Sequence, residues 1–257
     1  MATAADIAEY LDALLETRDT PDYSGAVNGL QLASDGHVRA VAAAVDFSRR
    51  AIDGAAERGA NLLLVHHGMF WAGVQPIRGP AYDRLKALLT HGIAVYASHL
   101  PLDRHPELGN NVLLARELGL APSGEFARYK TIAVGVRGEA DVPTADLVTR
   151  AAAFAAAHGG AAVATPFPEG RRTRRWGLCT GAGASSETLS EAAELGLDTL
   201  VVGEGPHHTA VDAQEAGIVV IYAGHYATET LGVSALAAHV GARFAIPWSF
   251  VAAPTGL

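Results

Sequence analysis

Ala42 to Gly68 reads "AAAVDFSRRAIDGAAERGANLLLVHHG", and its organisation decides the fold. Apolar runs, "VRAVAAAVD" and "NLLLV", flank an alanine-rich stretch of helical character, the strand–helix–strand pattern of an α/β protein. The segment aligns without a gap on Cys179 to Gly205, "CTGAGASSETLSEAAELGLDTLVVGEG". Ser48 falls on Ser185, Ile52 on Leu189, Ala55-Ala56-Glu57 on Ala192-Ala193-Glu194, and Gly59 on Gly196.

The correspondence continues downstream, where "GIAVYASHLPLD" lies over "IVVIYAGHYATE" and sets His99 on His225 and Asp103 on Glu229. Each is followed by an apolar helix, "NNVLLAREL" or "GVSALAAHV". Helix 3–17 and strand "VNGLQLA" are echoed by helix 143–158 and strand "AAVAT". The chain therefore reads as two related α/β lobes from an internal repeat, with largely parallel pairing. A seam in the Pro-, Gly- and Ser-bearing "GLAPSGEFARYK" gives a first lobe of 1–124 and a second of 125–257, with terminal elements open to exchange between lobes. Ligands in open α/β sheets collect beyond the carboxyl ends of strands, and the histidine motifs stand there. A metal site at the strand ends between the lobes is expected.

Composition narrows the partners. The 257 residues hold 27 acidic and 19 basic side chains, a formal net charge of −8 that lacks the basic footprint of a nucleic-acid binder. Cys179 is the single cysteine, which forbids an intramolecular disulfide and reads as a small buried hydrophobe. The N-terminus is an amphipathic helix with a Thr3–Asp6 capping box, and no run approaches the roughly 20 apolar residues of a membrane span. A soluble, cytoplasmic protein is expected.

Two adjacent imidazoles, His66 and His67, end the strand "NLLLV". Neighbouring side chains on a strand face opposite ways, so both serve one site only if the backbone leaves extended geometry, which Gly68 permits; otherwise each serves a different metal. In "SHLPLD", Pro101 disfavours helix at Leu100 and sets His99 and Asp103 on a turn. In "GHYATETLG", His225 and Glu229 are spaced i, i+4 for one helical turn. Four imidazoles and two carboxylates exceed a single structural zinc and suit two metals sharing a bridging carboxylate. Such mixed donors favour zinc, iron, manganese or nickel over calcium or magnesium. His37, His91, His105, His158 and His239 read as surface or core residues.

The ordered set "VNGLQLA", "VHHGMFW", "SHLPLD", "GEGPHH" and "GHYATE" resembles the YbgI-like proteins, often labelled GTP cyclohydrolase 1 type 2 homologues. The resemblance covers nearly the whole chain. It implies a two-lobed subunit in a toroidal homohexamer, with a dinuclear metal centre in each subunit. The family's ligand pattern falls on His66, His67, Asp103, His225 and Glu229, with His99 as a further ligand and Glu229 as the bridge. Two departures stand out: Leu100 where the family often has threonine, and no long central insertion.

Other signals are subordinate. Glu204, His207 and His208 of "GEGPHH" are candidate proton donors or substrate contacts, weighed against a solvated loop. "GAGASSETL" offers Ser185 or Ser186 as an ordinary helix N-cap more readily than a phosphate cradle. "RRTRRW", Arg171 to Trp176, reads as a solvated loop by default, and Trp71 as either a wall of the metal cleft or a packing residue. These features point to a metal-dependent hydrolase, its nucleophile a metal-bridged hydroxide and its substrate a nucleotide, phosphoester or cyclic amide. The alternatives are a non-catalytic metal-binding, storage or assembly scaffold and, more narrowly, a GTP cyclohydrolase.

Overall fold

The computed structural model describes residues 2–257. In chain order the elements are α1 (Ala4–Leu14), β1 (Gly29–Leu32), β2 (Val41–Asp46), α2 (Arg49–Glu57), β3 (Leu62–His67), α3 (Pro80–His91), β4 (Ala94–Ala97), α4 (Leu100–Asp103) and α5 (Asn110–Glu117). There follow β5 (Gly124–Tyr129), β6 (Ile132–Pro143), α6 (Thr144–Ala157), β7 (Val163–Ala164), β8 (Arg172–Cys179), α7 (Ser186–Glu194) and β9 (Thr199–Val202). The chain closes with α8 (His207–Glu215), β10 (Val219–Tyr222), α9 (His225–Thr228), α10 (Thr230–Phe244) and β11 (Trp248–Phe250).

Two compact units result. The first holds the chain up to Leu102 together with Gly232–Ala253, and the second Asp103–Leu231 with Pro254–Leu257. The division at Leu102 replaces the expected one at 124/125 because α5 packs on β6 and β8, and Leu114, Ala115 and Leu118 share a buried core with Trp176 and Leu178. In the other direction β11 pairs in parallel with β2, which draws Gly232–Ala253 into the first unit.

The first unit's sheet runs β1-β4-β3-β2-β11, with β2, β3, β4 and β11 parallel and β1 antiparallel at one edge. Its central strands are buried along nearly their whole length, as apolar runs without alternation require. The second unit's sheet runs β5-β6-β8-β9-β10-β7, with parallel β8, β9 and β10 and antiparallel β7 on the outer edge. The orders β1-β4-β3-β2 and β7-β10-β9-β8 match. The second sheet adds an antiparallel hairpin, β5–β6, so the supposed seam "GEFARY" is a strand and not a linker. Arg172–Arg175 likewise lie on β8, where the long "VRGEADVP" arm of β6 pairs with them, instead of in a solvated loop.

The paired helices have the same ends. Ser48 caps α2 through the Ala51 amide, and Ser185 caps α7 through the Thr188 amide. Each helix then closes on a left-handed glycine, Gly59 at φ +66° and Gly196 at φ +63°, with the double hydrogen bond of a Schellman turn. The gap-free correspondence holds over these helices and slips in the strand before them. Leu63 pairs with Ala42, whereas Leu200 pairs with Gly177 and not with Cys179. The path from the matched ladder position to the helix cap is thus two residues longer in the second unit, from Gly177 to Ser185 against Ala42 to Ser48, and Gly181 at φ +61° lies in it.

Candidate metal-binding residues

In the first unit, His66 and His67 end β3 and His99 follows β4. The two adjacent imidazoles do meet: their centroids are 4.8 Å apart, and those of His66 and His99 are 4.9 Å apart. One ring nitrogen from each of the three lies within 4.8 Å of the others. Gly68 does not achieve this through a left-handed backbone, as its φ is not positive. It is glycine because a Cβ there would collide with the Gln31 amide.

Each imidazole is oriented by an oxygen. His66 Nδ1 lies 2.9 Å from the Ser98 carbonyl, His67 Nδ1 2.8 Å from Asp46 Oδ1, and His99 Nδ1 2.8 Å from Asp22 Oδ1. These oxygens only accept, so Nδ1 carries a proton in all three rings, and the neutral imidazole then has its lone pair on Nε2. Asp22 shows the strength of its pairing. Burial would raise its pKa, yet the hydrogen bond and charge of His99, with Asn28 and the Tyr23 amide, hold it below the ordinary carboxylate value. Trp71 stands edge-on to His99, 4.7 Å between centroids, and is 44% exposed, so it borders the histidines instead of packing into the core.

The second unit holds the two candidate carboxylates. Asp103 and Glu229 are only 5% and 2% exposed. His225 opens α9 and reaches Glu229, its C-terminal cap, with Nε2 3.2 Å from Oε2, as the i, i+4 spacing predicts. Its Nδ1 lies 2.9 Å from Glu204 Oε1. Burial pulls the His225 pKa down, but the hydrogen bonds and charges of Glu229 and Glu204 outweigh it and raise the value to about 9. Asp103 Oδ1 accepts from Asn110 Nδ2 at 2.9 Å. Asn111 ties Asp103 to the turn bearing Gly181, donating to the Asp103 carbonyl and accepting from the Thr180 amide.

One expectation needs correction. Leu100–Asp103 is a short helix, because proline is tolerated in a first helical turn. Glu204 is engaged as the partner of His225, while His207 and His208 are exposed on the first turn of α8. His208 comes no closer than 3.5 Å to Ser186 Oγ. Cys179 has its thiol pKa pushed up by burial, then by the charges of Asp103, Glu229 and Glu191, so it is no thiolate nucleophile. His239 and His158 are satisfied by Tyr10 and the Phe154 carbonyl, as ordinary structural histidines. Sequence reasoning missed Asp22 and Asp46. The second had a signal, since it ends the strand paired with β3 and stands beside His67 in the ladder.

Comparison with known proteins places these residues in context. The chain is 39% identical to a "GTP cyclohydrolase 1 type 2 homolog" of Deinococcus radiodurans, over 98% of this chain and 94% of that protein. It is 34% identical to the protein of the same name from Escherichia coli, over 97% of each. Among solved structures, the protein ybgI, described as of unknown function, superposes with a TM-score of 0.89 at 32% identity over 100% of both chains. TTHA1606 from Thermus thermophilus does so at 0.85 and 36%, again over 100% of both. With the Duf34/NIF3 (NGG1p interacting factor 3) family model matching residues 2–254, the chain belongs to the DUF34/NIF3 family.

Proposed function

We propose that this protein binds two divalent metal ions through His66, His67, His99, Asp103, His225 and Glu229 and uses them in hydrolysis. The substrate class is a nucleotide, phosphoester or cyclic amide. The observation that carries this reading is the shared arrangement of the four imidazoles: each has Nδ1 held by an oxygen acceptor, the orientation typical of metal-ligating histidines. His225 adds a second argument. With both nitrogens against carboxylate oxygens it retains a proton in the metal-free state, and a cation at Glu229 takes that proton's place.

Bound divalent metals supply hydroxide at neutral pH by lowering the pKa of water towards 7. The protein's own residues do the rest. Asp22, Asp46 and Glu204 fix the imidazoles, and His207 and His208 are the side chains with freedom to carry a proton to a leaving group. Trp71 offers an aromatic face beside the histidines. The relatives' name makes opening of the GTP purine ring the narrower version of this reading. We place the protein in the cytoplasm as a homohexamer. Among the described residues, no helix is long and apolar enough to cross a membrane.

The test is metal content per subunit by plasma mass spectrometry on protein purified without a histidine tag, beside Glu229→Ala and Asp103→Ala, followed by a substrate panel. About two equivalents are expected, with a sharp fall in both variants and metal-dependent turnover. Metal without turnover on any nucleotide, phosphodiester or cyclic amide favours the storage or scaffold role. No metal after reconstitution with zinc, manganese and iron overturns the proposal.

A further inference from the structure

The motif "VNGLQLA" was a mark of resemblance without a task, and the loop before it contains an acid that sequence reasoning passed over. Together, Asp22 to Gln31 form a strap that reaches both histidine-bearing turns of the first unit. At one end, Asp22 Oδ1 accepts from His99 Nδ1 and from the Tyr23 amide, while Oδ2 accepts from the Leu100 amide and Asn28 Nδ2. Asn28 Oδ1 in turn accepts from the His99 amide at 2.8 Å. The imidazole and backbone of His99 are thus held by two residues more than seventy positions away in sequence.

At the other end, Gln31 Oε1 accepts from the Met69 amide at 2.6 Å, and Gln31 Nε2 donates to the carbonyls of Ala26 and Val27. The Gln31 side chain fills the space a Cβ on Gly68 would need, so it locks the turn directly after His66 and His67. The strap adopts costly backbone to do so. Val27, a β-branched residue, sits at φ +42°, while Gly29 at φ +110° takes a conformation open to glycine.

We infer that the Asp22–Gln31 strap is the template that aims His66, His67 and His99 at one cation, with Asp22, Asn28 and Gln31 as positioning residues. The inference rests on the proposed metal-binding role. Chemistry makes each position exacting. All four acceptor directions of the Asp22 carboxylate face donors, so asparagine would turn an NH₂ against two of them whichever way it lay. Glutamate at Gln31 would set an oxygen against two carbonyls.

The experiment is titration of the metal-free protein with Co²⁺, read by its visible ligand-field bands, in the wild type, Asp22→Asn, Gln31→Glu and His66→Ala. Melting temperatures of the metal-free forms are measured in parallel. Expected are Co²⁺ affinities about 10- to 100-fold weaker and shifted bands in Asp22→Asn and Gln31→Glu, a loss larger than any fall in metal-free melting accounts for. Unchanged affinity and bands in both variants would overturn the inference, as would a loss of affinity that only tracks a fall in metal-free melting. If Asp22→Asn does not fold, Gln31→Glu decides alone. A wild type that binds no Co²⁺ refutes the metal-binding reading itself, an outcome distinct from a wild type and Asp22→Asn that bind alike while His66→Ala does not.

Discussion

His67 and Asp46 end neighbouring parallel strands in register, and the ring's Nδ1 lies 2.8 Å from the carboxylate's Oδ1. The sheet ladder therefore supplies a carboxylate–histidine pair without any loop to hold it. Asp46 is 35% exposed at the side chain, so it can be removed without opening the core. Asp46→Ala is expected to lower metal affinity about 10- to 100-fold and leave the fold intact. Competition against a chromophoric chelator, with circular dichroism as the control, measures both. An affinity equal to wild type would reduce Asp46 to a surface contact.

Gly181 faces the buried carboxylate of Glu229, and its φ of +61° lies in the left-handed region. Gly181→Ala combines two penalties, about 1–2 kcal/mol of backbone strain and a collision of its Cβ with Glu229. Gly59→Ala at φ +66° carries the strain alone, since nothing lies within 4 Å of its added Cβ. Urea denaturation should show Gly59→Ala destabilised by about 1 kcal/mol and still binding metal. Gly181→Ala should be destabilised by more and lose metal held by Glu229. Equal metal content in the two would separate Gly181 from the site.

Ser48 and Ser185 accept from the amides three residues on, Ala51 and Thr188, at the starts of α2 and α7. Alanine at either position is expected to cost about 1 kcal/mol. Chemical denaturation of Ser48→Ala and Ser185→Ala checks it; a cost near zero in one alone would mean that its helix start is held by packing.

These caps were legible in the sequence because a serine before a helical pattern and a glycine after it are local signals. So were His225 and Glu229, one helical turn apart, and the buried strands, which needed only apolar runs. The hairpin β5–β6 was not. Ala127 and Lys130 adopt positive φ without being glycine, and the pairing partner of Glu125 is Val136, beyond a turn that carries no Gly or Pro. Asp22 was hidden for a different reason. It meets His99 through tertiary structure across 77 positions, and nothing in "TPDYSG" distinguishes a histidine-orienting acid from a turn-forming one. Local chemistry was readable, while contacts made only once the chain has folded were not.

A metal that binds the native state and not the unfolded chain must raise the melting temperature. At 100 times Kd the gain is about 2.7 kcal/mol, on the order of 5–10 °C for a chain of this size. Zinc, manganese or iron should give that shift, and magnesium or calcium little, because His66, His67 and His99 offer imidazole nitrogen and not oxygen. His66→Ala is the discriminating variant. Its Nδ1 is held by the Ser98 carbonyl, and the residue is 1% exposed, so truncation lowers the metal-free melting temperature by opening a cavity. The informative quantity is the difference between metal-loaded and metal-free melting, which cancels that cavity cost. Differential scanning fluorimetry should find this difference reduced in His66→Ala and preserved in Ser185→Ala. The same shift in both variants would exclude His66 as a donor.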